Sequence, residues 1–158
     1  MAPAERSAKN AIYVEGLGTG LFYSLNYERV FGDFAPRIGF GYMSVSASAP
    51  SASGTGMDSA HTSFVSIPMS VSYLGIGSLN HMFEVGAGAT LFMVGEGATA
   101  VNVSASGSTT MVLGTVTAGY RYQPADGGFL FRGGVNAIIG GADWPVLPWP
   151  YIALGGTF

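Results

Sequence analysis

Cysteine is absent, which excludes disulfides and thiolate metal sites. Charge is scarce. Asp, Glu, Lys and Arg make up 9% of the 158 residues, against roughly 25% in an ordinary soluble domain. So few ions cannot coat a water-soluble exterior. The net charge of −3 leaves no basic footprint for a nucleic-acid partner. Long apolar runs are missing too: the charge-free span 59–83 is interrupted throughout by Ser, Gly and Pro, which argues against a membrane helix. The opening Met-Ala-Pro-Ala-Glu-Arg has no apolar signal core, and it reads as the start of a mature chain whose signal peptide has been removed.

What the sequence does have is alternation. In 82–93, Phe83, Val85, Ala87, Ala89, Leu91 and Met93 are apolar, while Glu84, Gly86, Gly88 and Thr90 between them are small or polar. Side chains alternate faces along a strand, so this is a β-strand with one greasy and one lean side. Its length suits a tilted strand crossing a bilayer, about 9–11 residues. The same pattern recurs in 10–18, 21–30, 35–45, 63–74, 110–122, 129–139 and 151–158. Pro68 cannot donate to a ladder, and predicts a bulge in the fourth strand. Turn chemistry such as Phe-Gly-Asp-Phe at 31–34 and Pro-Ala-Asp-Gly-Gly at 124–128 separates some strands. Ser/Ala/Gly-rich connections at 46–62 and 95–109 separate others, and are expected to be mobile loops. Long connections fall at one end and short turns at the other, except for a short first hairpin. The pattern predicts an all-β, closed, up-and-down antiparallel transmembrane barrel of about eight strands over 10–158, behind a flexible tail, 1–9.

Parity assigns the faces. Glu15, Glu28, Arg37, Glu84, Arg121 and Arg132 all fall on the lean side, and their charges sum to zero. Turned toward lipid, each Arg would cost about 2–4 kcal/mol at the midplane, so the six belong in the lumen as an ion network. Tyr27, Tyr73, Phe83, Tyr120, Tyr122, Phe129 and Phe158 gather on the greasy side near the short turns, as an interfacial girdle should. Trp144 and Trp149 suit the opposite rim. Inward glycines suit a narrow barrel.

The last strand, with Ile152 and Leu154 alternating toward a final Phe158, resembles the terminal strand of Gram-negative outer-membrane barrels. Segments 23–29, 119–124 and 147–150 resemble the small eight-stranded members of that group, the OmpA/OmpX-like superfamily, in its functionally unassigned branch. The resemblance implies an outer-membrane location, contact with outer-membrane lipid, and insertion by the barrel-assembly machinery, which reads Phe158. It implies no activity.

Catalytic signals are thin. His61 and His81 lie at opposite ends and share no site, so neither a metal nor a cofactor is expected. His61-Thr62-Ser63 resembles the His-x-Ser of lipid A deacylases, with Asp58 nearby. Glu28 and Glu84 could act as an acid/base pair, but three arginines nearby favour a structural network. The outer connections carry only Asp58, Glu96 and Asp143, so no basic clamp for lipopolysaccharide phosphates is encoded. The expectation is therefore a non-enzymatic, charge-plugged barrel with a structural role or surface contact through 46–62 and 95–109; the alternatives are a small pore or transporter and, behind it, a lipid-modifying enzyme or a soluble lipocalin-like carrier.

Overall fold

A computed structural model describes residues 6–51, 56–100, 103–140 and 146–158. Eight antiparallel strands follow one another around a closed barrel: β1 (Asn10–Leu17), β2 (Tyr23–Arg29), β3 (Phe34–Pro50), β4 (Met57–Gly77), β5 (His81–Ala100), β6 (Val103–Tyr122), β7 (Gly128–Ile139) and β8 (Leu147–Thr157). Each strand pairs with its sequence neighbours, and β1 closes on β8 from Ala11–Thr157 to Leu17–Tyr151. Asn10 and Phe158 complete the seam by exchanging two backbone hydrogen bonds of 2.9 Å. Closure leaves the barrel wall without an edge strand. No helix among the described residues is long and apolar enough to cross a membrane.

The wall is inverted relative to a soluble protein. In β2 the exposures alternate strictly, with Tyr23, Leu25 and Tyr27 outside and Ser24, Asn26 and Glu28 inside. Ile12, Val14, Ile38, Phe40, Val71, Val85, Val116, Ile152 and Leu154 also face outward and exposed. Contiguous apolar surface of that kind marks a surface that meets something other than water.

Four expectations need correction. The connections expected at 46–62 and 95–109 are mostly strand. β3 and β4 stay paired out to Pro50–Met57, and β5 and β6 to Ala100–Val103, so four strands of 17, 21, 20 and 20 residues rise beyond the barrel as one sheet. Their Ser/Thr/Ala/Gly composition hides the strand because most of the positions whose exposure is described there are open on both faces, and alternation has little to record. Pro68 makes no bulge: Ile38–Met69 and Gly41–Ser66 lie in one register on either side of it. The register shift falls between Tyr73 and Ile76, where a side chain on Gly75 would run into the Tyr73 ring. Of the tail expected at 1–9, residues 1–5 lie outside the described residues, and 6–9 are held against the barrel. Ala8 is buried, the Ala8 amide donates to Ala125 O at 2.9 Å, and Lys9 O accepts from the Val30 amide at 2.7 Å. Finally, Trp149 takes an inward position, described below. Trp144 lies outside the described residues.

Candidate functional site: a layered barrel interior

The interior is built in layers from the short-turn end upward. Its floor is apolar, with Val30, Ala35, Leu74 and Met82 forming one buried cluster; a second cluster, Ala11, Tyr13, Leu130 and Ala153, lines the β1–β8–β7 seam and reaches up to the level of the ions. Below it Arg6 spans the mouth, donating to the carbonyls of Gln123 at 3.1 Å and Pro124 at 3.2 Å, and to Leu79 O.

One pleat above the floor stands the ion layer. Glu28 is two residues from Val30, Arg37 from Ala35, Glu84 from Met82 and Arg132 from Leu130. Inward positions two apart stack along a strand, so each charge inherits its height from an apolar neighbour. Glu84 and Arg132 are both 0% exposed and sit at the centre. Arg132 Nη2 donates to Glu84 Oε1 at 2.8 Å, and its Nε reaches both carboxylate oxygens at 3.1 Å. Arg121 donates to Glu28 and, at 3.4 Å, to Glu84 Oε2. Arg37 Nη1 pairs with Glu15 Oε2 at 2.6 Å, while its Nε donates to Ser70 Oγ at 2.6 Å.

Two tyrosines tie these pairs together. Tyr13 donates to Glu28 Oε2 at 3.4 Å and accepts from Arg37 at 3.3 Å and from Arg132. One hydroxyl supplies one donor and two acceptor sites, so Tyr13 is saturated. Tyr151 donates to Glu84 Oε1 at 2.5 Å, and the Arg132 guanidinium lies 4.8 Å from the Tyr13 ring centre. With Gln123 Oε1 accepting from Arg121 Nε at 2.7 Å, every strand but β4 gives the network a charged or aromatic side chain, and β4 gives Ser70. A carboxylate buried with matched donors avoids the several kcal/mol that an unpaired buried ion would cost.

Above the ions is a Ser/Thr/Asn layer, with Thr117 Oγ1 donating to Asn136 Oδ1 at 2.6 Å. The lid is the first hairpin. Its 3-10 turn, Gly18–Gly20, is fully buried and lies inside the barrel, with β1 to β5, β7 and β8 around it. Thr19 donates its amide at 3.0 Å and its hydroxyl at 3.1 Å to Glu15 Oε1, and its Oγ1 accepts from Arg37 at 2.8 Å. Thr90 Oγ1 holds the Thr19 carbonyl at 2.9 Å. This is why the first connection is short: it turns inward, with Gly18 at φ +64° where a side chain would collide with the Glu15 carboxylate. Trp149 shares the inward face of its ladder partner Asn136, and its indole N–H donates to Leu21 O at 3.3 Å. Its side chain therefore reaches the lid and not the outer rim.

All six charged positions singled out by parity come together in one layer. Tyr13, Tyr151, Gln123 and Thr19 were not singled out, although inward parity alone would have placed the two tyrosines. The outward aromatics Tyr27, Phe83, Tyr120, Phe129 and Phe158 are exposed, while Tyr73 and Tyr122 are half-buried. Phe34 lies against Tyr73 at 5.4 Å between ring centres, and His81 Nδ1 is 2.6 Å from the Tyr120 hydroxyl. His61 and Ser63 share one face of β4 with Gly97 and Gly95 opposite them, whereas Glu96 stands opposite Thr62 on the other face. No His–Ser–carboxylate arrangement forms there among the described residues, nor any cluster of three metal-ligating side chains.

The class defined by these features is a narrow eight-stranded up-and-down barrel, apolar outside and ionic within. No protein-family model matches the chain, and no curated protein aligns with it. Solved structures share its fold. The attachment invasion locus protein Ail of Yersinia pestis, in complex with the heparin analogue sucrose octasulfate, superposes with a TM-score of 0.58 at 13% identity, over 95% of this chain and 97% of that one. The N-terminal β-barrel domain of Pseudomonas aeruginosa OprF gives 0.51 at 13% identity, over 98% of each chain. A major outer membrane protein from Thermus thermophilus gives 0.56 at 13% identity, over 96% of this chain and 98% of that one. At such identity the likeness establishes the fold, a closed eight-stranded barrel of the kind outer-membrane proteins use.

Proposed function

We propose that the protein is an integral outer-membrane barrel with a lumen closed to ions, which presents its projecting four-stranded sheet to the surroundings of the cell. The observation that carries this reading is sidedness. The outer wall exposes Ile12, Val14, Leu25, Ile38 and Phe40, while six charges are withdrawn to the inside. Lipid is the solvent that favours this arrangement. The aromatic level near the short turns supports a membrane boundary there, and outward Phe158 at the end of β8 is the residue we assign to recognition by the assembly machinery.

Closure is supported by the stacking of apolar floor, ion layer and inward lid. The protein folded into vesicles should run faster unboiled than boiled on a denaturing gel and give no reproducible conductance steps in a planar bilayer. Regular steps would sink the closed reading in favour of the pore. An unshifted band with monodisperse behaviour in detergent-free buffer would sink the membrane reading and favour the soluble carrier.

The projecting sheet carries Asp58 and Glu96 and none of the six basic residues. A sulfated polyanion such as the ligand bound to Ail finds no cation there, so the surface contact we propose is made through hydroxyl and backbone groups. Replacing Ser63 with Ala and assaying lipid A deacylation tests the remaining enzymatic reading. Loss of activity would revive it.

A further inference from the structure

The outer wall holds one basic residue. Of the six, Arg37, Arg121 and Arg132 point inward, and Arg6 and Lys9 belong to the segment at the short-turn mouth. Arg29 remains. It ends β2 facing outward and exposed, between the inward Glu28 and Val30. No carboxylate pairs with it among the described residues. Its guanidinium carbon stands 5.3 Å from the centre of the Phe31 ring. Across the ladder is Asn10, whose Oδ1 is occupied by the Tyr27 hydroxyl at 2.9 Å. The cation is thus free of anionic partners among the described residues and sits at the level of the outward aromatic girdle.

Directly above it on the same face is a shallow, open groove of about 400 Å³, lined by Ile12, Leu25, Tyr27, Ile38, Phe40 and Ile67, with Asn26 and Gly39 at its base. The groove lies where the β2–β3 ladder is short, four residue pairs from Leu25–Phe40 to Glu28–Arg37. Tyr27 borders the groove and is two residues from Arg29, about 7 Å along the strand. A cation and a mostly apolar groove at that spacing match the two ends of one amphiphile.

We propose that this face binds a glycerophospholipid from the leaflet at the short-turn end, with its phosphate on Arg29 and one acyl chain laid in the groove. The proposal rests on the membrane reading above. Guanidinium matches a phosphodiester with two parallel N–H donors, a fit an ammonium cannot copy. The site favours an anionic headgroup such as phosphatidylglycerol, because a zwitterionic one already carries a cation beside its phosphate.

The test is native mass spectrometry of the full chain in detergent, titrated with phosphatidylglycerol and phosphatidylethanolamine of matched acyl chains. One basic side chain near a membrane surface contributes about 1 kcal/mol, so the wild type should retain the anionic lipid about fivefold better. Arg29→Gln should erase the preference, and Arg29→Lys should keep part of it. Ile38→Trp, which fills the groove, should weaken both lipids while sparing the preference. Equal retention of the two lipids by the wild type, or an undiminished preference in Arg29→Gln, overturns the proposal. The same samples are checked for the gel shift and for insertion into vesicles. Failure there defeats the membrane reading itself, whereas normal insertion without a lipid preference defeats the lipid site alone.

Discussion

The lower and upper halves of β3–β6 belong to the same four strands and one continuous set of ladders, yet they obey different rules. In the lower half each strand separates two environments, so Val85 and Glu84 are forced to opposite faces. In the upper half, around Ala47, Ser59 and Gly107, there is no second environment to separate, and the composition drifts to small polar residues. Backbone pairing carries the sheet through both. Side-chain alternation therefore reports the solvent on each side of a strand and not the strand itself.

Substitutions can break that contrast, and the largest effect belongs to the lower interior. Arg132→Met leaves Glu84 buried with its main partner gone, which should cost about 3–5 kcal/mol in urea unfolding from vesicles. The double variant with Glu84→Gln should recover part of the loss, since it also removes the stranded charge. Full additivity of the two losses would show that Glu84 and Arg132 do not act as a pair.

Next comes the outer face. Val116→Arg, on the outer wall four residues above the girdle residue Tyr120, should cost about 2–4 kcal/mol in the same assay, and Ser108→Arg, on the projecting part of β6, should stay within about 0.5 kcal/mol. Equal costs at the two positions would mean that the wall and the projecting sheet meet the same solvent. A smaller effect is expected at the lid. Gly18→Ala puts a side chain on a left-handed residue and against the Glu15 carboxylate, for about 1–2 kcal/mol, with planar-bilayer conductance as a second readout. Trp149→Phe removes a single hydrogen bond to Leu21 O and should cost about 0.5–1.5 kcal/mol.

The six lumen charges were legible because a strand has a period of two and lipid penalises ions strongly enough to decide their side. The apolar floor was less so: Leu130 and Met82 look like lipid-facing residues by composition, and only their parity relative to Arg132 and Glu84 puts them inside. Arg6 gave no such signal. It precedes the first strand, and its partners, Gln123, Pro124 and Leu79, are distant in sequence.

By itself the sequence determined the fold class and the sidedness of the wall, because both follow from local alternation and from the high cost of an ion in hydrocarbon. Only the tertiary structure decided which carboxylate meets which arginine, since those pairs depend on barrel stagger and on contacts between strands that are not neighbours. It also decided that the first hairpin turns inward as a lid and that the Ser/Ala/Gly stretches climb as strands. Both outcomes depend on what each segment can hydrogen-bond to once the barrel has closed, and no periodicity within the segment records that.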